Sequence, residues 1–342
     1  MKRREYLILF LLIFISGCGA NDKQKNSQER IQMHYVCSLD ENITTLGQVL
    51  SLDVAADGSF IVSNGNDIIG YDPSGRQRFA WNKKGRGPNE YLVAKHVRAT
   101  NNAIYVWDSG SAKLFAYDLN GNGLWTYDYD SAICDFYPTD TAVFFYPCGR
   151  KWEHIVQELD IESMSIVHSF GSTSMAHKAM HAMDASVPLT IQNGSLFYMT
   201  RDKLDLFQVK QGGVSLVKQF TSNSFRCREI KEDLFANNLQ AGIEFVSQNS
   251  FVLSVSVSED GMSYKLLTAE GSADPNGIQQ TGRVKLSNNT LVFRLYKINS
   301  ETQSVSVCER VFDPTLISEK NGSFYVLVED RDNEAYQLVT LE

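Results

Sequence analysis

Proline and cysteine are both scarce in this chain, seven and six respectively in 342 residues. No two cysteines form a Cys-x-x-Cys pair, which removes the common spacing of zinc sites and of thioredoxin-like redox motifs. Long amphipathic periodicity is almost absent, so there is little from which to build the crossover helices that parallel sheets require. Basic residues are outnumbered by acidic ones, 32 to 40, giving a formal charge of −8. A surface with that balance disfavours nucleic acid, whose phosphates select a basic face. No Gly-x-Ser-x-Gly elbow marks a serine nucleophile. The longest apolar run, Leu7 to Ile15, is too short to cross a bilayer as a helix.

What the chain does have is repetition. GSFIVSNGNDIIGYDPSGRQRFAW is followed by NAIYVWDSGSAKLFAYDLNGNGLWTY, and Tyr71 and Tyr117 stand 46 residues apart at matching places. That period suits one four-stranded blade of a β-propeller. Phe60 to Val62 and Ile104 to Trp107 are β-branched and aromatic runs bounded by turn residues. Each unit then places Asp-x-x-Gly after a second run, at Asp72–Gly75 and Asp118–Gly121, where a hairpin turn is expected. A single such sheet cannot bury both of its faces, whereas radial stacking buries them and leaves short edges. The fold expected is all-β, a six-bladed propeller with four-stranded antiparallel blades, and seven blades as the alternative.

In chain order, Lys2, Arg3 and Arg4 precede the apolar run, and Ile15-Ser16-Gly17-Cys18 follows it. This resembles the lipobox of bacterial lipoproteins, in which Cys18 would become the first mature residue and carry the lipid. Residues 1–17 then form the signal peptide, residues 18–30 a polar tether, and residues 31–342 the propeller. Ile31 to Ser38 is expected to close the ring by pairing with the last blade, which removes two exposed edges. Units follow at Leu50–Trp81, Ala94–Tyr129, Ile133–Phe170 and Leu189–Phe220, with further strands from Ile243 onward. Gly171 to Val187 breaks the rhythm and reads as a long loop or short helix. Ser224 to Leu239 is the best helix candidate, with Ser224 as its cap.

Between the first two units lies Lys84-Gly85-Arg86-Gly87-Pro88-Asn89-Glu90-Tyr91. With the repeats and the N-terminal signal, Gly85, Gly87, Pro88, Glu90 and Tyr91 resemble an element of six-bladed propeller lipoproteins abundant in Bacteroidetes, described as TolB-like or NHL-like. The resemblance implies the fold, a lipid anchor and an envelope location, and it carries no activity with it. A Gly-rich loop cradles phosphate when it opens a helix. No helix follows this one, so a tight turn between blades is the expectation, with Arg86 and Glu90 holding nearby backbone.

Residues able to do chemistry are few. Asp53, Asp57 and Asp108 lie toward the inner parts of their blades, where converging carboxylates could hold calcium or act as acid and base; the competing reading is that they satisfy turn amides. His177 and His181 are spaced as metal ligands on one helix face, without a third ligand nearby. Arg86 and His96 join Asp53, Asp108, His177 and His181 as the candidate channel or rim residues. Cys134 and Cys148 fall on adjacent expected strands and could be bridged, or act as small apolar side chains. Trp81, Trp107, Trp125 and Trp152 are expected in the core, with a sugar-binding surface as the alternative. Together these features favour a lipid-anchored module that binds a glycan, a peptide or an envelope protein, needs no cofactor and does not bind nucleic acid. The alternative is a hydrolase or lyase with a metal or carboxylate site in the central channel.

Overall fold

The computed structural model describes residues 29–342, apart from 150, 182–184, 211–212, 272–277, 281–283, 287–290, 300–301, 308–312 and 314. The signal peptide, Cys18 and Cys308 therefore lie outside the described residues.

The first blade is built from β3 (Ser51–Val54), β4 (Phe60–Ser63), β5 (Asp67–Tyr71) and β6 (Gln77–Asn82), each antiparallel to the one before. It is preceded by β1 (Glu29–Arg30), β2 (Met33–Asn42) and the short helix α1 (Ile43–Leu46). The second blade is β7 (Ala94–Ala99), β8 (Ala103–Asp108), β9 (Lys113–Asp118) and β10 (Gly123–Asp128). The third is β11 (Ile133–Pro138), β12 (Ala142–Pro147), β13 (Val156–Asp160) and β14 (Ser165–Phe170). Helix α2 (Met175–Met180) leads to the fourth, β15 (Leu189–Gln192), β16 (Ser195–Met199), β17 (Asp205–Lys210) and β18 (Gly213–Gln219). After α3 (Leu234–Asn237) and α4 (Leu239–Gln248) comes β19 (Ser250–Val257), then β20 (Tyr264–Gly271). A hairpin of β21 (Ile278–Gln280) and β22 (Val284–Leu286) precedes β23 (Leu291–Ile298) and β24 (Gln303–Val307), which complete the fifth blade. The sixth comprises β25 (Ile317–Lys320), β26 (Ser323–Asp330), β27 (Ala335–Leu341) and, as its outer strand, β2.

The ring is closed as the sequence led us to expect. Strand β2 pairs antiparallel with β27 from Met33 opposite Leu341 to Asn42 opposite Ala335. Glu29 and Arg30, assigned to the tether on their polarity, instead run parallel beside β24. An unpaired strand edge at β24 offers backbone partners that side-chain polarity does not reveal.

The repeat is a structural one. Tyr71 and Tyr117 are both fully buried near the ends of the third strands of their blades. In each following turn the Asp carboxylate accepts from the amide two residues on, at 2.8 Å for Ser74 and 2.9 Å for Asn120. Gly75 and Gly121 then take φ of 85° and 84°.

Both faces of each blade are buried at its inner strands, which explains strands such as β4 and β8 with every residue inside, while outer strands such as β6 and β10 are largely exposed. Among the described residues six apolar clusters form, one in each gap between neighbouring blades. Leu39, Leu52, Phe60 and Leu338, for example, join the sixth blade to the first.

The expected helix over Ser224–Leu239 is corrected. Helix begins only at Leu234, and Ser224 caps nothing; its hydroxyl meets Tyr296 Oη at 3.0 Å. Phe225 packs in the gap between the fourth and fifth blades, and Cys227, Ile230, Leu234 and Phe235 in the next gap. Their spacing reflects an irregular strap lying over apolar gaps and not a helical face. Gly171 to Val187 does contain a short helix, α2, capped by Ser174.

Ring closure generates a test. A Cβ on Gly75 would lie 2.0 Å from the Ser38 carbonyl oxygen on β2, at a φ that L-residues avoid. Gly194 has a φ of 69° with nothing within 4 Å. Gly75→Ala should therefore cost at least about 2 kcal/mol in urea unfolding, and Gly194→Ala about 1 kcal/mol or less.

Candidate functional site

The innermost strands β3, β7, β11, β15, β19 and β25 touch in sequence and return to β3, enclosing the axis. Each contributes at least one polar side chain, and these meet. Asp53 accepts from Arg98 Nη1 at 3.1 Å, from the Ala99 amide at 2.8 Å and from Ser318 Oγ at 3.4 Å. Arg98 also engages Asp135 through Nη2, with Nε 3.4 Å from its other oxygen, and its guanidinium lies 5.8 Å from the Tyr137 ring. Glu319 accepts from Thr190 Oγ1 and from Ser256 Oγ, the latter at 2.9 Å. Thr190 belongs to the fourth blade and Glu319 to the sixth, so that contact reaches past the inner strand of the fifth. All six blades contribute to this ring, at the end of the channel where first strands turn into second strands.

The electrostatics follow from burial. Arg98 sits between two carboxylates with its side chain 12 % exposed. Burial alone would lower its pKa, but Asp135 and Asp53 outweigh that and raise it. Burial raises the Glu319 carboxyl above its ordinary value, against the opposing hydrogen bonds from Thr190 and Ser256. Tyr137 is raised by burial and then by Glu319 and Asp53.

Of the residues named from sequence, Asp53 alone is in this ring. Asp108 is fully buried at the end of β8, where it accepts from the amides of Leu92, Val93 and Gly110 and from Ser111 Oγ. Asp57 caps its own turn through Ser59. His96 is buried on β7. Arg86 is exposed in the connection from β6 to β7. Antiparallel topology puts that connection, α2 and the turns between second and third strands at the opposite end of the disc from Asp53. These residues do not converge.

The Gly-rich connection has its own anion. Glu90 Oε2 accepts from the Gly87 amide at 2.7 Å, and a Cβ on Gly85 would lie 1.9 Å from the same oxygen. A carboxylate of the chain itself fills the space a phosphate would need.

His177 and His181 meet, Nε2 to Nε2, at 2.9 Å. His177 Nδ1 accepts from the Arg201 amide at 3.1 Å, so its Nε2 carries the proton donated to His181. Burial lowers both pKa values, that of His177 to about 3. The pair is a neutral, hydrogen-bonded brace within α2 and its C-cap. Among the described residues no three His, Cys, Asp or Glu side chains are grouped to hold a metal ion.

Cys134 and Cys148 are free thiols side by side on the third blade. Burial pushes the Cys134 thiol up, but the hydrogen bond from Cys148 and the charges of Arg201 and Lys95 prevail and hold it below its ordinary value. The buried Cys37 thiol rises to about 11, chiefly through desolvation. Trp107 is core, whereas Trp152 is partly exposed and stacks on Tyr129 with centroids 5.7 Å apart.

Sequence reading missed Arg98, Asp135 and Glu319. The available signal was a charged residue within a short inner strand, present in four of the six: Asp53, Arg98, Asp135 and Glu319.

With six blades, a closing N-terminal strand and this polar ring about the axis in place, the class is that of six-bladed propellers. A family model described as a 6-bladed beta-propeller, DUF5128, matches residues 20–234, and the chain belongs to that family. It is similar in fold to a Bacteroides fragilis protein described as exported, with 12% identity, a TM-score of 0.63, and coverage of 93% of this chain and 96% of that one. A DUF4221 member from Bacteroides vulgatus gives 10% identity, a TM-score of 0.63, and coverage of 92% and 97%. Comparison with curated proteins found no match. Among the described residues no helix is long and apolar enough to cross a membrane.

The raised Glu319 pKa sets a pH test. The folded state holds this proton more tightly than the unfolded chain, so the group's contribution is fully present below the unfolded pKa and is lost as pH rises through the folded one. Glu319→Gln should therefore gain in melting temperature relative to the native chain as pH rises through the carboxylate range, with the smallest difference at the acid end.

Proposed function

We propose that this protein is a lipid-anchored, non-catalytic binding module of the bacterial cell envelope, of the TolB-like or NHL-like kind, that recognises a glycan, a peptide or an envelope protein. One observation carries the reading. The ionisable groups that meet on the axis are committed to one another: Asp53 and Asp135 to Arg98, and Glu319 to Thr190 and Ser256. An enzyme needs an acid, base or nucleophile left to act on a bound substrate. A binder needs a rigid frame that positions loops and rim side chains, and six interlocked sheets supply one.

The anchor follows from Cys18 and the basic and apolar residues before it. Acyl chains on that cysteine would hold the protein to the outer membrane, since more than one chain is needed for stable attachment. The stretch between Cys18 and β1 would stand the disc off the lipid surface.

Two measurements test this. Cys18→Ser should abolish incorporation of labelled palmitate and move the protein from the membrane to the soluble fraction. Immobilised protein exposed to solubilised envelope from its own bacterium should retain a component whose mass is unchanged on elution. A retained component released in hydrolysed or eliminated form would overturn the binding reading in favour of catalysis.

A further inference from the structure

The outer strand of the second blade and the third blade enclose a cleft of about 390 Å³. Its lining includes Tyr127, Asp128, Tyr129, Asp130, Trp152 and Ile166. We propose that this cleft binds a neutral saccharide, an assignment that rests on the binding-module reading and names its ligand class.

The rings are arranged as a backed platform. Trp152 lies nearly parallel to Tyr129, at 12°, and Tyr127 nearly parallel to Phe145, at 19°. Tyr129 and Phe145 are themselves in contact, with centroids 4.6 Å apart, which ties the two stacks together. Trp152 Nε1 donates to Ser131 Oγ at 3.0 Å, so the indole is held in place. Aromatic surface already immobilised loses little entropy when a ligand lies on it.

This geometry selects between ligands that aromatic rings attract. An ammonium group wants several ring faces turned toward one point. Here the rings run nearly parallel in two offset stacks, Trp152 with Tyr129 and Tyr127 with Phe145, and form no cage; such flat surface suits the axial C–H face of a pyranose.

Polar groups sit at the edge, as sugar hydroxyls require. Asp130 is exposed and makes no hydrogen bond or ion pair with another described residue. Asp128 is exposed beside it, with one oxygen 2.9 Å from Lys113 Nζ. Carboxylates accept charge-assisted bonds from hydroxyls, which are stronger than neutral ones. Two carboxylates against one lysine also repel uronates and sulfated chains, so the ligand is uncharged.

Calorimetry on the full chain in a sugar-free detergent tests the assignment. The probes are cellohexaose, mannohexaose, xylohexaose and chitohexaose, with polygalacturonate and hyaluronan as acidic controls. At least one neutral probe should bind and the acidic ones should not. Tyr127→Ala and Asp130→Asn should each weaken that binding by about tenfold or more, and Asp130→Asn, at an exposed position, should do so with an unchanged melting curve. Trp152→Ala should do the same, and Trp152→Phe should restore part of it. Failure of every neutral probe, or preference for an acidic one, overturns the assignment. Saccharide binding untouched by Tyr127→Ala and Asp130→Asn overturns the cleft while leaving the binding module standing. Chemical alteration of a bound probe would instead overturn the binding-module reading itself.

Discussion

The structure depends on apolar packing between adjacent blades. Each blade is four strands wide, with β1 added at the edge of the fifth, and its inner strands are apolar on both faces, so no blade can be stable alone. Leu52 and Phe60 are packed by Leu39, just upstream on β2, and by Leu338 from the far end of the chain. Closure by β2 is therefore a condition for burying the first and last faces, and it also removes the edge that a lone β27 would present. The Gly75 turn joins in, since the Asp40 amide donates to the Gly75 carbonyl at 3.1 Å. Turn, closing strand and apolar gap act as one cooperative unit.

The same closure builds the axis. Asp53 and Ser318 are 265 residues apart in sequence yet meet, and Arg98 is held by acids from the blades on either side of it. Removing charges from water is expensive, and a guanidinium shared by two carboxylates with further backbone donors is a way to offset it. Such a network specifies how neighbouring blades are placed in angle and height, because each carboxylate has only one arrangement that satisfies its donors. The channel is thus a structural seam. Trp152, Tyr127 and Asp130 lie away from that seam, along the outer strands, and can vary without disturbing it.

Several residues that invite a chemical reading turn out to brace the fold. Glu90 holds the Gly85–Gly87 loop, Asp108 collects four donors at the gap between blades, and His177 donates to His181 at the C-terminal end of α2. In each case the polar group compensates backbone or side-chain donors that inter-blade packing has cut off from water. The histidines show why spacing alone misleads. Positions four apart on a helix do bring two rings together, but burial keeps both neutral and directs one toward the other.

Periodicity in the sequence determined the blade, its turns and the place of β2, because strand, Asp-x-x-Gly turn and buried Tyr are local patterns written within one repeat. The bracing role of Glu90 was legible for the same reason, its partners being within three residues. The Ser224–Leu239 segment was misread because apolar residues that fill two separate gaps mimic a helical stripe. The axial ring of Arg98, Asp135, Thr190, Ser256 and Glu319, and the cleft that pairs Tyr127 with Trp152, were decided by tertiary structure alone. Each member is an ordinary polar or aromatic residue in its own strand. Only the rotation of one sheet against the next brings them within hydrogen-bonding or stacking distance, and that rotation is set by how whole faces pack.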